Sequence, residues 1–571
     1  MHSDSMGFSQ GFSQGFSKIK RYILWLMLGL SLTVFSCQQT LSQAAPQVNV
    51  TLLSAPLMPL TQPGPWGEVS HLISYDHRLW FANSKVFGNH NSADIYSYDP
   101  SDGETRFEQH LFSQSTGDPT VANGLLYWPF EDPRFSADRG EYMVTNGDQW
   151  QWHILPEGEV FHVHAMAHHR DALWASTGAW SGGVQRSTDG GKTWELVYTH
   201  PTPERRVSRV TSLVPLGDRL LAEIMAVHES GSKVLRSQAN AFQPIESWPN
   251  GKRVNALTTF QDRAYGVNQN PDDSYSVWRT DGERTEPVTG LDGHRIRDFT
   301  ATDSTLWAVS SGPSAQQGYL WCSNDGLDWA AVQHFTDMRP LAVAVHADQV
   351  YVGGRGANGH GVLWGPTTHQ VSSIRQPEKP QTLPLPRQVL PPLDVQQQLS
   401  ALDAILSSPE TYTAGNTQDV LAKTLMPMAL EHTPAVSKQL AAYLQQPLPA
   451  KSAQLFAGNA SAPATYVVQW YLLWAMGLNG YGQVPLEVLQ TPWTEPANDR
   501  EKYWHPAPAA AWTAAQLGQD DRGTIGAIIE RLTTQTDPLW LVGDFVGALH
   551  TLTGEQFGYD VAAWQQWWET L

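Results

Sequence analysis

One short pattern recurs seven times along this chain, and it constrains the fold more than any other feature. Each copy places a large apolar residue, usually aromatic, after a polar turn and one or two further residues. We call these seven residues the aromatic column: Trp80, Tyr127, Trp174, Leu221, Tyr265, Trp307 and Tyr351. Successive members are 47, 47, 47, 44, 42 and 44 residues apart. Such a regular period indicates one structural unit repeated along the chain.

Each unit carries signals for four short strands. A β-branched run, as at Val210, lies about eleven residues before the column, and a third strand such as 234–236 follows it before a Gly- or Asn-bearing turn. Four strands per 42 to 47 residues, repeated seven times, predict a seven-bladed β-propeller, whose closed ring protects the strand edges. We therefore assign residues 65–375 to an all-β seven-bladed propeller.

Two turns between third and fourth strands carry a more specific pattern. They resemble the Asp-box (BNR) motif Ser-x-Asp-x-Gly-x-x-Trp, the second in a form one residue shorter. We expect Asp to bind the turn backbone, Gly to adopt a positive φ, and Trp to cover the hairpin. The structural Asp-box residues are Ser187, Asp189, Gly191, Trp194, Ser323, Asp325 and Trp329. The motif is informative about fold and not about chemistry, so no catalytic residue is assigned.

The position twelve residues before the aromatic column carries a cluster of basic residues. It reads Glu68, Ser115, His162, Arg209, Arg253, Arg295 and Arg339. This position begins the innermost strand of each unit, and side chains alternate faces along a strand, so an equal register implies an equal direction. Four guanidinium groups are therefore expected at one mouth of the central channel, with Arg297 pointing the same way and Arg355 on a loop at that end.

This arrangement of cations predicts an anion site. The residues proposed to form it are His162, Arg209, Arg253, Arg295, Arg297, Arg339 and Arg355. The planar guanidinium donates two parallel hydrogen bonds to a carboxylate or a phosphate. Clustered cations need a counter-charge. Either each Arg pairs with local acids such as Glu68, Asp298 and Asp337, or an anionic ligand neutralises the cluster. His162 and His164 share a strand face, but no third ligand is evident, so no metal and no cofactor is predicted.

The beginning of the chain has the pattern of an export signal. Basic residues at 18–21 precede an apolar run, 22–35, that is too short to span a bilayer of about 30 Å. Cys37 follows Val34-Phe35-Ser36, which resembles the lipobox of bacterial lipoproteins. The resemblance implies lipid attachment at Cys37 and a bacterial membrane anchor, with the protein facing the periplasm or the exterior. Plain secretion and an uncleaved anchor are the alternatives.

Composition excludes two classes of protein. The chain has 55 acidic and 36 basic residues, a net charge of −19, which does not suit a nucleic-acid binder. Its 2 cysteines exclude a disulfide-stapled scaffold, and Cys322 has no partner if Cys37 is acylated. We expect a signal peptide at 1–36 and a tether at 37–64 that could include a closing strand.

The pattern changes after the propeller region. Residues 376–393 are rich in proline and predict a semi-rigid linker. Residues 394–571 follow with helical spacing, as in a run after Thr524 that we take as an N-cap, and 466–478 predict a buried core helix. This all-α domain resembles HEAT-like helical repeats, which implies that Asp560 caps the last helix.

Propellers with Asp-boxes and arginine clusters resemble two families. Sialidases use an arginine triad to hold a substrate carboxylate, but their Arg-Ile-Pro motif is replaced here by 68–70, and they have six blades. Photosystem II assembly factor propellers are similar over 66–374; they are exported and bind proteins, but lack the helical tail. The resemblance implies an exported, membrane-tethered interaction or scaffold protein for an acidic ligand or protein partner. A sialidase-like exo-acting glycoside hydrolase is the alternative.

Overall fold

The computed structural model has an all-β region followed by an all-α region, within one compact unit that runs from Val50 to Leu571. It describes residues 53, 56–84, 92–131, 140–155, 160–179, 181–200, 202, 207–226, 233–238, 241–312, 317–366, 383–389, 394–407, 417–446, 464–492, 504–534 and 539–571. The expected signal segment and Cys37 lie outside these residues. Over the described ranges, no helix is both long and apolar enough to span a membrane.

The described strands follow one another in groups of four, preceded by one short strand. They are β1 (Met58–Thr61); β2 (Glu68–Tyr75), β3 (Arg78–Ser84), β4 (Ala93–Asp99), β5 (Glu104–Leu111); β6 (Thr120–Ala122), β7 (Leu125–Pro129), β8 (Glu141–Thr145), β9 (Trp150–Ile154); β10 (His162–His169), β11 (Ala172–Ala179), β12 (Gly183–Ser187), β13 (Glu195–Thr199); β14 (Ser208–Leu216), β15 (Arg219–Ala226), β16 (Lys233–Gln238), β17 (Ala241–Pro244); β18 (Arg253–Phe260), β19 (Arg263–Gln269), β20 (Tyr275–Thr280), β21 (Thr285–Val288); β22 (Arg295–Ala301), β23 (Leu306–Ser311), β24 (Gly318–Ser323), β25 (Ala330–Phe335); β26 (Met338–His346), β27 (Gln349–Gly356) and β28 (Gly361–Gly365).

These strands form a β-propeller, as the repeat predicted, but not seven separate sheets. Five sheets have four antiparallel strands each, while β10 to β17 form one eight-stranded sheet. The two groups join because Gly178 and Ala179 at the end of β11 pair with Arg209 and Ser208 of β14. In the last sheet β1 pairs with β28, so a strand from near the start of the chain completes a sheet built from β26, β27 and β28.

The aromatic column explains the repeat. All seven of its residues lie in the second strand of a four-strand group, and each is buried, from 0% exposed at Trp80 to 8% at Trp174. Large buried side chains fill the space between neighbouring sheets, so one such residue per group sets the spacing. The spacing of 42 to 47 residues in the sequence therefore corresponds to one buried packing residue in each group of strands.

The first strands of neighbouring groups contact each other, which places them around the centre of the propeller. β2 contacts β26, and contacts continue through β22, β18, β14 and β10 to β6. Six of these strands carry a bulge near their start, for example between Ile296 and Asp298. A bulge re-aims the side chains beside it. At His71 the bulge places the backbone at a φ of 50°, in the left-handed region.

The second region is helical where the structure describes it. Its helices are α1 (Val395–Ser407), α2 (Thr417–Ala429), α3 (Pro434–Leu444), α4 (Ala464–Asn479), α5 (Leu486–Leu489), α6 (Pro506–Gln516), α7 (Arg522–Thr534), α8 (Leu539–Thr553) and α9 (Val561–Glu569). The predicted core helix is confirmed as α4, in which Trp470 and Trp474 are fully buried. A HEAT-like repeat of these helices stays a prediction.

Two helix starts test the capping predictions. Asp560 caps α9 by accepting the Ala563 N–H at 3.0 Å, as expected. The Thr524 cap was wrong. Asp521 accepts the Thr524 N–H at 3.1 Å, and α7 already begins at Arg522. A carboxylate competes well for free N–H groups because its charge complements the positive helix end.

The helices pack directly on the first two sheets of the propeller. Trp152 meets Trp512 with ring centroids 5.8 Å apart, and Phe112 meets Trp470 at 6.3 Å. The described part of the linker also lies on the propeller, because the Gln388 side chain bonds the backbone of Ile154. The two regions therefore share one apolar core, and residues 383–389 are not a free spacer.

Candidate functional site

The structure places the predicted arginines at the starts of the innermost strands. Arg253 and Arg295 are the first residues of β18 and β22, and Arg209 and Arg339 are the second residues of β14 and β26. Ser115 is the exception, since it precedes β6. The equal register therefore gives these side chains equivalent places around the channel. Contacts and electrostatic interactions among these side chains divide them into two neighbouring sets.

The first set, which we call the Arg297 group, consists of Arg295, Arg297, Arg339, Arg355 and Glu68. Arg339 Nη2 lies 2.7 Å from Glu68 Oε1, an ion pair between the last sheet and the first. Arg355 is the cross-strand partner of Arg339. Arg295 stacks over the Tyr275 ring at 5.0 Å. The group therefore holds four cations and one carboxylate.

Arg297 shows what this imbalance does electrostatically. Burial, together with the neighbouring charges of Arg295 and Arg339, lowers the pKa of Arg297 to about 10. The guanidinium nevertheless stays charged at neutral pH. Its Nε donates to Ser311 Oγ, a neutral partner, at 2.5 Å. A partly desolvated cation without a matching carboxylate gains from an incoming anion.

The second set, the His164 group, consists of His162, His164, Arg209 and Arg253. The His162 and His164 rings stack with centroids 5.2 Å apart. His164 and Arg209 pack over Gly178, where a Cβ would lie 2.9 Å from His164 Nε2 and 2.7 Å from Arg209 Cγ. Burial lowers the pKa of His164 well below its usual value, and His162, Arg209 and Arg253 act in the same direction. His164 is therefore neutral.

The acids expected to neutralise the arginines do so only once. Glu68 pairs with Arg339, but Asp298 accepts backbone N–H groups from Phe299 at 2.8 Å and Val343 at 2.9 Å. Among the described residues, Asp337 makes no ion pair within 4.0 Å, and no carboxylate lies that close to Arg209, Arg253, Arg295, Arg297 or Arg355. Pairing with a local acid therefore neutralises one of the predicted arginines, Arg339.

The structure adds a second layer that the sequence analysis did not find. Nine residues before the aromatic column lie His71, Asp118 and Asp298, in the first, second and sixth groups of strands. His71 Nε2 lies 3.5 Å from Asp118 Oδ1, and His71 Nδ1 lies 3.0 Å from the Thr116 hydroxyl. The shared distance of nine residues from the aromatic column is visible in the sequence. The bulges in the first strands, however, decide which positions of the repeat face the channel.

Both aspartates of this layer are electrostatically unusual. Burial raises the pKa of Asp298 to about 7, and the charge of Asp118 adds to the shift. Burial also raises the pKa of Asp118, against the opposing effect of His71. The Asp118 side chain is nevertheless 59% accessible, so solvent limits this effect on its pKa. Titratable groups gathered below a basic mouth are typical of binding and catalytic sites. No group of three His, Cys, Asp or Glu suited to a metal occurs among the described residues.

The two motif turns have a structural role. Asp189 accepts the Thr193 N–H at 2.9 Å, and Gly191 adopts a φ of 91°. Trp194 is buried and donates its indole N–H to Tyr142 at 3.1 Å, on the neighbouring sheet. In the shorter turn Asp325 accepts N–H groups from Leu327 and Asp328 at 2.8 and 2.9 Å. These residues stabilise hairpins and lie outside both cationic groups.

Comparison with known proteins finds solved structures at low sequence identity and low TM-score. No family model and no curated protein matches this chain. A match to a prolyl endopeptidase structure has 10% sequence identity and a TM-score of 0.36. It covers 52% of this chain and 50% of the endopeptidase chain, so this chain spans about half the length of that protein. The β-propeller domain of the Trilobed protease from Pyrococcus furiosus is 9% identical, TM-score 0.38, covering 53% and 95%. The computationally designed Ika8 protein is 12% identical, TM-score 0.35, covering 54% and 99%.

Proposed function

We propose that this protein is a propeller-based binding protein that holds an anionic group of a ligand or protein partner at the mouth of its channel. The cations of the Arg297 and His164 groups bind the anion. A carboxylate or a phosphate fits, because each accepts two parallel hydrogen bonds from a guanidinium.

One observation carries this proposal. Arg297 is partly buried and feels the charges of Arg295 and Arg339, and among the described residues Glu68 is the one carboxylate within 4.0 Å of an arginine of this group. Four cations around one carboxylate repel one another, and Glu68 offsets only part of this repulsion by pairing with Arg339. Cationic clusters in an acidic chain with a net charge of −19 also steer acidic ligands toward one place.

Several finer features form part of the proposal. We propose that the eight-stranded sheet is two blades joined at β11 and β14, which makes seven blades, and that the two motif turns are Asp-boxes. Contacts between α4 and both α2 and α6 support a HEAT-like stack. The apolar run before Cys37 supports export and a lipid anchor in a bacterial membrane.

Binding of poly-L-glutamate by the purified full-length protein, measured by calorimetry at low and high salt, tests the proposal. We expect binding that weakens as salt is added, since interactions between exposed charges are largely screened beyond about 8 Å at physiological ionic strength, and beyond shorter distances at higher salt. The double substitution Arg253→Gln and Arg295→Gln is expected to weaken binding about tenfold or more. Thermal unfolding should stay unchanged, because both side chains are exposed and make no ion pair in the described structure.

A matched control removes the same charge elsewhere. Arg170 and Arg106 are surface arginines that pair with Asp218 and with Asp102 and Glu104. Their double substitution to Gln should leave poly-L-glutamate binding within about twofold of the native protein, as expected for small surface charge effects. Equal losses in the two double variants would show that only net charge matters, which contradicts an anion site at the channel mouth.

An exo-acting glycoside hydrolase is the second candidate, and one observation favours it. Burial raises the pKa of Asp298 to about 7, the charge of Asp118 acts in the same direction, and such a pKa suits a general acid. Tyr275 lies beside the same arginines. Release of methylumbelliferone from its sialic acid glycoside tests this function. Hydrolysis abolished by Asp298→Asn would establish it, and no turnover by the native protein would exclude that activity.

A further inference from the structure

A row of half-exposed rings adjoins the Arg297 group at the sixth group of strands. Tyr319 and His334 stack face to face, with centroids 4.6 Å apart and planes 15° apart. Trp321 lies 5.6 Å from Tyr319, and His294 lies 4.6 Å from Trp321. We call these four residues the ring row. It ends next to Arg295, whose guanidinium covers the Tyr275 ring.

Strand register explains why the row and the arginines share one end of the sheet. Arg295 pairs with Ser311, Ser311 with Gly318, and Gly318 with Phe335, which forms one line across β22, β23, β24 and β25. Tyr319 and His334 pair in the next line, and Trp321 follows Tyr319 by two residues on the same face. The row therefore runs from the outer strand toward the basic mouth of the channel.

The rings are held in place but not covered. Trp321 and Tyr275 pack against the apolar core between the fifth and sixth groups, and the Trp321 indole N–H donates to Ser310 Oγ at 2.9 Å. His334 is exposed, and Tyr319, Trp321 and His294 are half-buried. Burial lowers the pKa of His294, so this ring adds no charge to the row at neutral pH. The surface thus combines rigid flat faces with adjacent cations.

Such a surface has the composition of a protein-binding site. Trp, Tyr and Arg dominate the residues that contribute most to protein interfaces, because rigid rings bury much area at a small entropic cost. Charge complementarity requires an acidic partner, since Arg295 and Arg297 have no carboxylate within 4.0 Å in the described part of the chain. Aromatic-lined surfaces also bind proline-rich segments, which are already extended and lose little freedom on binding.

Resting on the proposed function, we infer that the partner is an acidic, proline-containing protein segment that binds in an extended conformation. Its prolines stack on Tyr319, His334 and Trp321, and its carboxylates bind Arg295 and Arg297. The ring row thereby supplies specificity for chain conformation, while the arginines supply specificity for charge. A partner that is only acidic would leave the rings unused.

Fluorescence polarisation with labelled synthetic peptides tests this inference on the full-length protein. The probe alternates Glu and Pro, one control alternates Glu and Ala with the same charge, and a second alternates Ser and Pro. We expect the Glu-Pro peptide to bind about tenfold more tightly than either control, a difference of about 1.4 kcal/mol. Tyr319→Ala with His334→Ala should abolish the preference for Pro over Ala and leave binding of the Glu-Ala peptide unchanged.

The variants also separate the two proposals. Arg297→Gln should weaken binding of both acidic peptides. If the double variant of Tyr319 and His334 fails to fold, His334→Ala alone still tests the role of the rings, because His334 is exposed. Equal affinity for Glu-Pro and Glu-Ala, or an unchanged preference in both ring variants, would overturn the inference while leaving the anion site intact. Tighter binding of polygalacturonate than of Glu-Pro would assign the surface to an acidic polysaccharide and also overturn it. Binding of none of these probes would refute both proposals.

Discussion

His110 of β5 and Asp544 of α8 form a buried ion pair, with Nε2 and Oδ1 3.2 Å apart, that joins the propeller to the helical region. On its other side, His110 Nδ1 lies 2.7 Å from Asp94 Oδ1. Asp94 also accepts hydrogen bonds from Trp66 and from Tyr559 of the helical region. Burial lowers the pKa of His110, but the hydrogen bonds and charges of Asp544 and Asp94 outweigh this and raise it to about 9.

Removing this imidazole should weaken the whole compact unit. His110→Gln leaves Asp94 and Asp544 buried without their cation, and breaking a buried pair in this way costs about 3–5 kcal/mol. Urea unfolding should show that loss. Arg106→Gln, which removes only solvent-exposed pairs, should cost less than about 1 kcal/mol. A His110 variant as stable as the Arg106 variant would mean that the pair does not hold the regions together.

The same imidazole predicts a pH dependence. A histidine whose folded pKa is raised from 6.5 to about 9 contributes stability that is complete below pH 6.5 and is lost as pH rises through 9. The loss is on the order of 3 kcal/mol at 1.36 kcal/mol per pH unit. Melting temperatures at pH 6.5, 8 and 9 should therefore fall faster for the native protein than for His110→Gln. Parallel curves for the two proteins would contradict the assignment.

Gly543 of α8 lets the helix approach His110. A Cβ at this position would lie 2.2 Å from His110 Cε1, so Gly543→Ala should force the helix away and cost about 1–3 kcal/mol, as overpacking of a core does. Gly523 of α7 is the control, because the nearest atom to its Cβ is a flexible carboxylate oxygen of Asp521 at 3.1 Å. Alanine there should be neutral or stabilise by up to about 1 kcal/mol. Thermal unfolding compares the two variants, and equal effects would refute the close-packing argument.

Glu141 in the second sheet should behave as a neutral carboxylic acid. It is fully buried, and burial raises its pKa well above the usual value, although a hydrogen bond from Trp152 opposes the shift. Glu141→Gln should therefore change stability at pH 6 by less than about 1.5 kcal/mol. Since the folded state holds the proton more tightly than the unfolded state, native stability declines as pH rises, and the Gln variant should gain relative to it at pH 9. Thermal unfolding at both pH values measures this difference. A large loss at pH 6 would indicate a charged, paired carboxylate instead.

The two motif turns give a prediction, with the tested residue in one turn and the control in the other. Asp189→Ala removes an acceptor for the Thr193 N–H at 2.9 Å and for its hydroxyl at 2.6 Å, and should cost about 1–3 kcal/mol. Asp328 lies in the shorter turn, and its exposed side chain makes no hydrogen bond in the described structure, so Asp328→Ala should be nearly neutral. Both variants should bind poly-L-glutamate as the native protein does. Weaker binding by Asp189→Ala would give this turn a role in the site.

The regular part of the fold could be predicted because it is local and repeated. The aromatic column marks the second strand of each group, and the arginines twelve residues earlier lie at or next to the starts of first strands. Both statements depend only on strand length and alternation. The same regularity led to an expectation of seven separate sheets, which the pairing of Gly178 with Arg209 does not allow.

The remainder depends on contacts that leave no local pattern. His71 meets Asp118 because bulges re-aim the first strands, and His110 meets Asp544 across most of the chain. The ring row joins residues of β24 and β25 to His294, and no single stretch of sequence contains it. Charge partners that are distant in sequence are set by packing and not by spacing, so the sequence indicates where the arginines lie along the strands but not which side chains surround them.

The pairing of Met58 with Gly365 and of Pro59 with Trp364 has a consequence for how the chain is made. The earliest strand in the described structure occupies the outer edge of a sheet whose other members are synthesised last, so the ring stays unsealed until translation passes Gly365. A chain that lacks β1 would leave β28 with an open hydrogen-bonding edge, to which a strand of another molecule can pair. Loss of Met58–Thr61 would thus expose a site for edge-to-edge association.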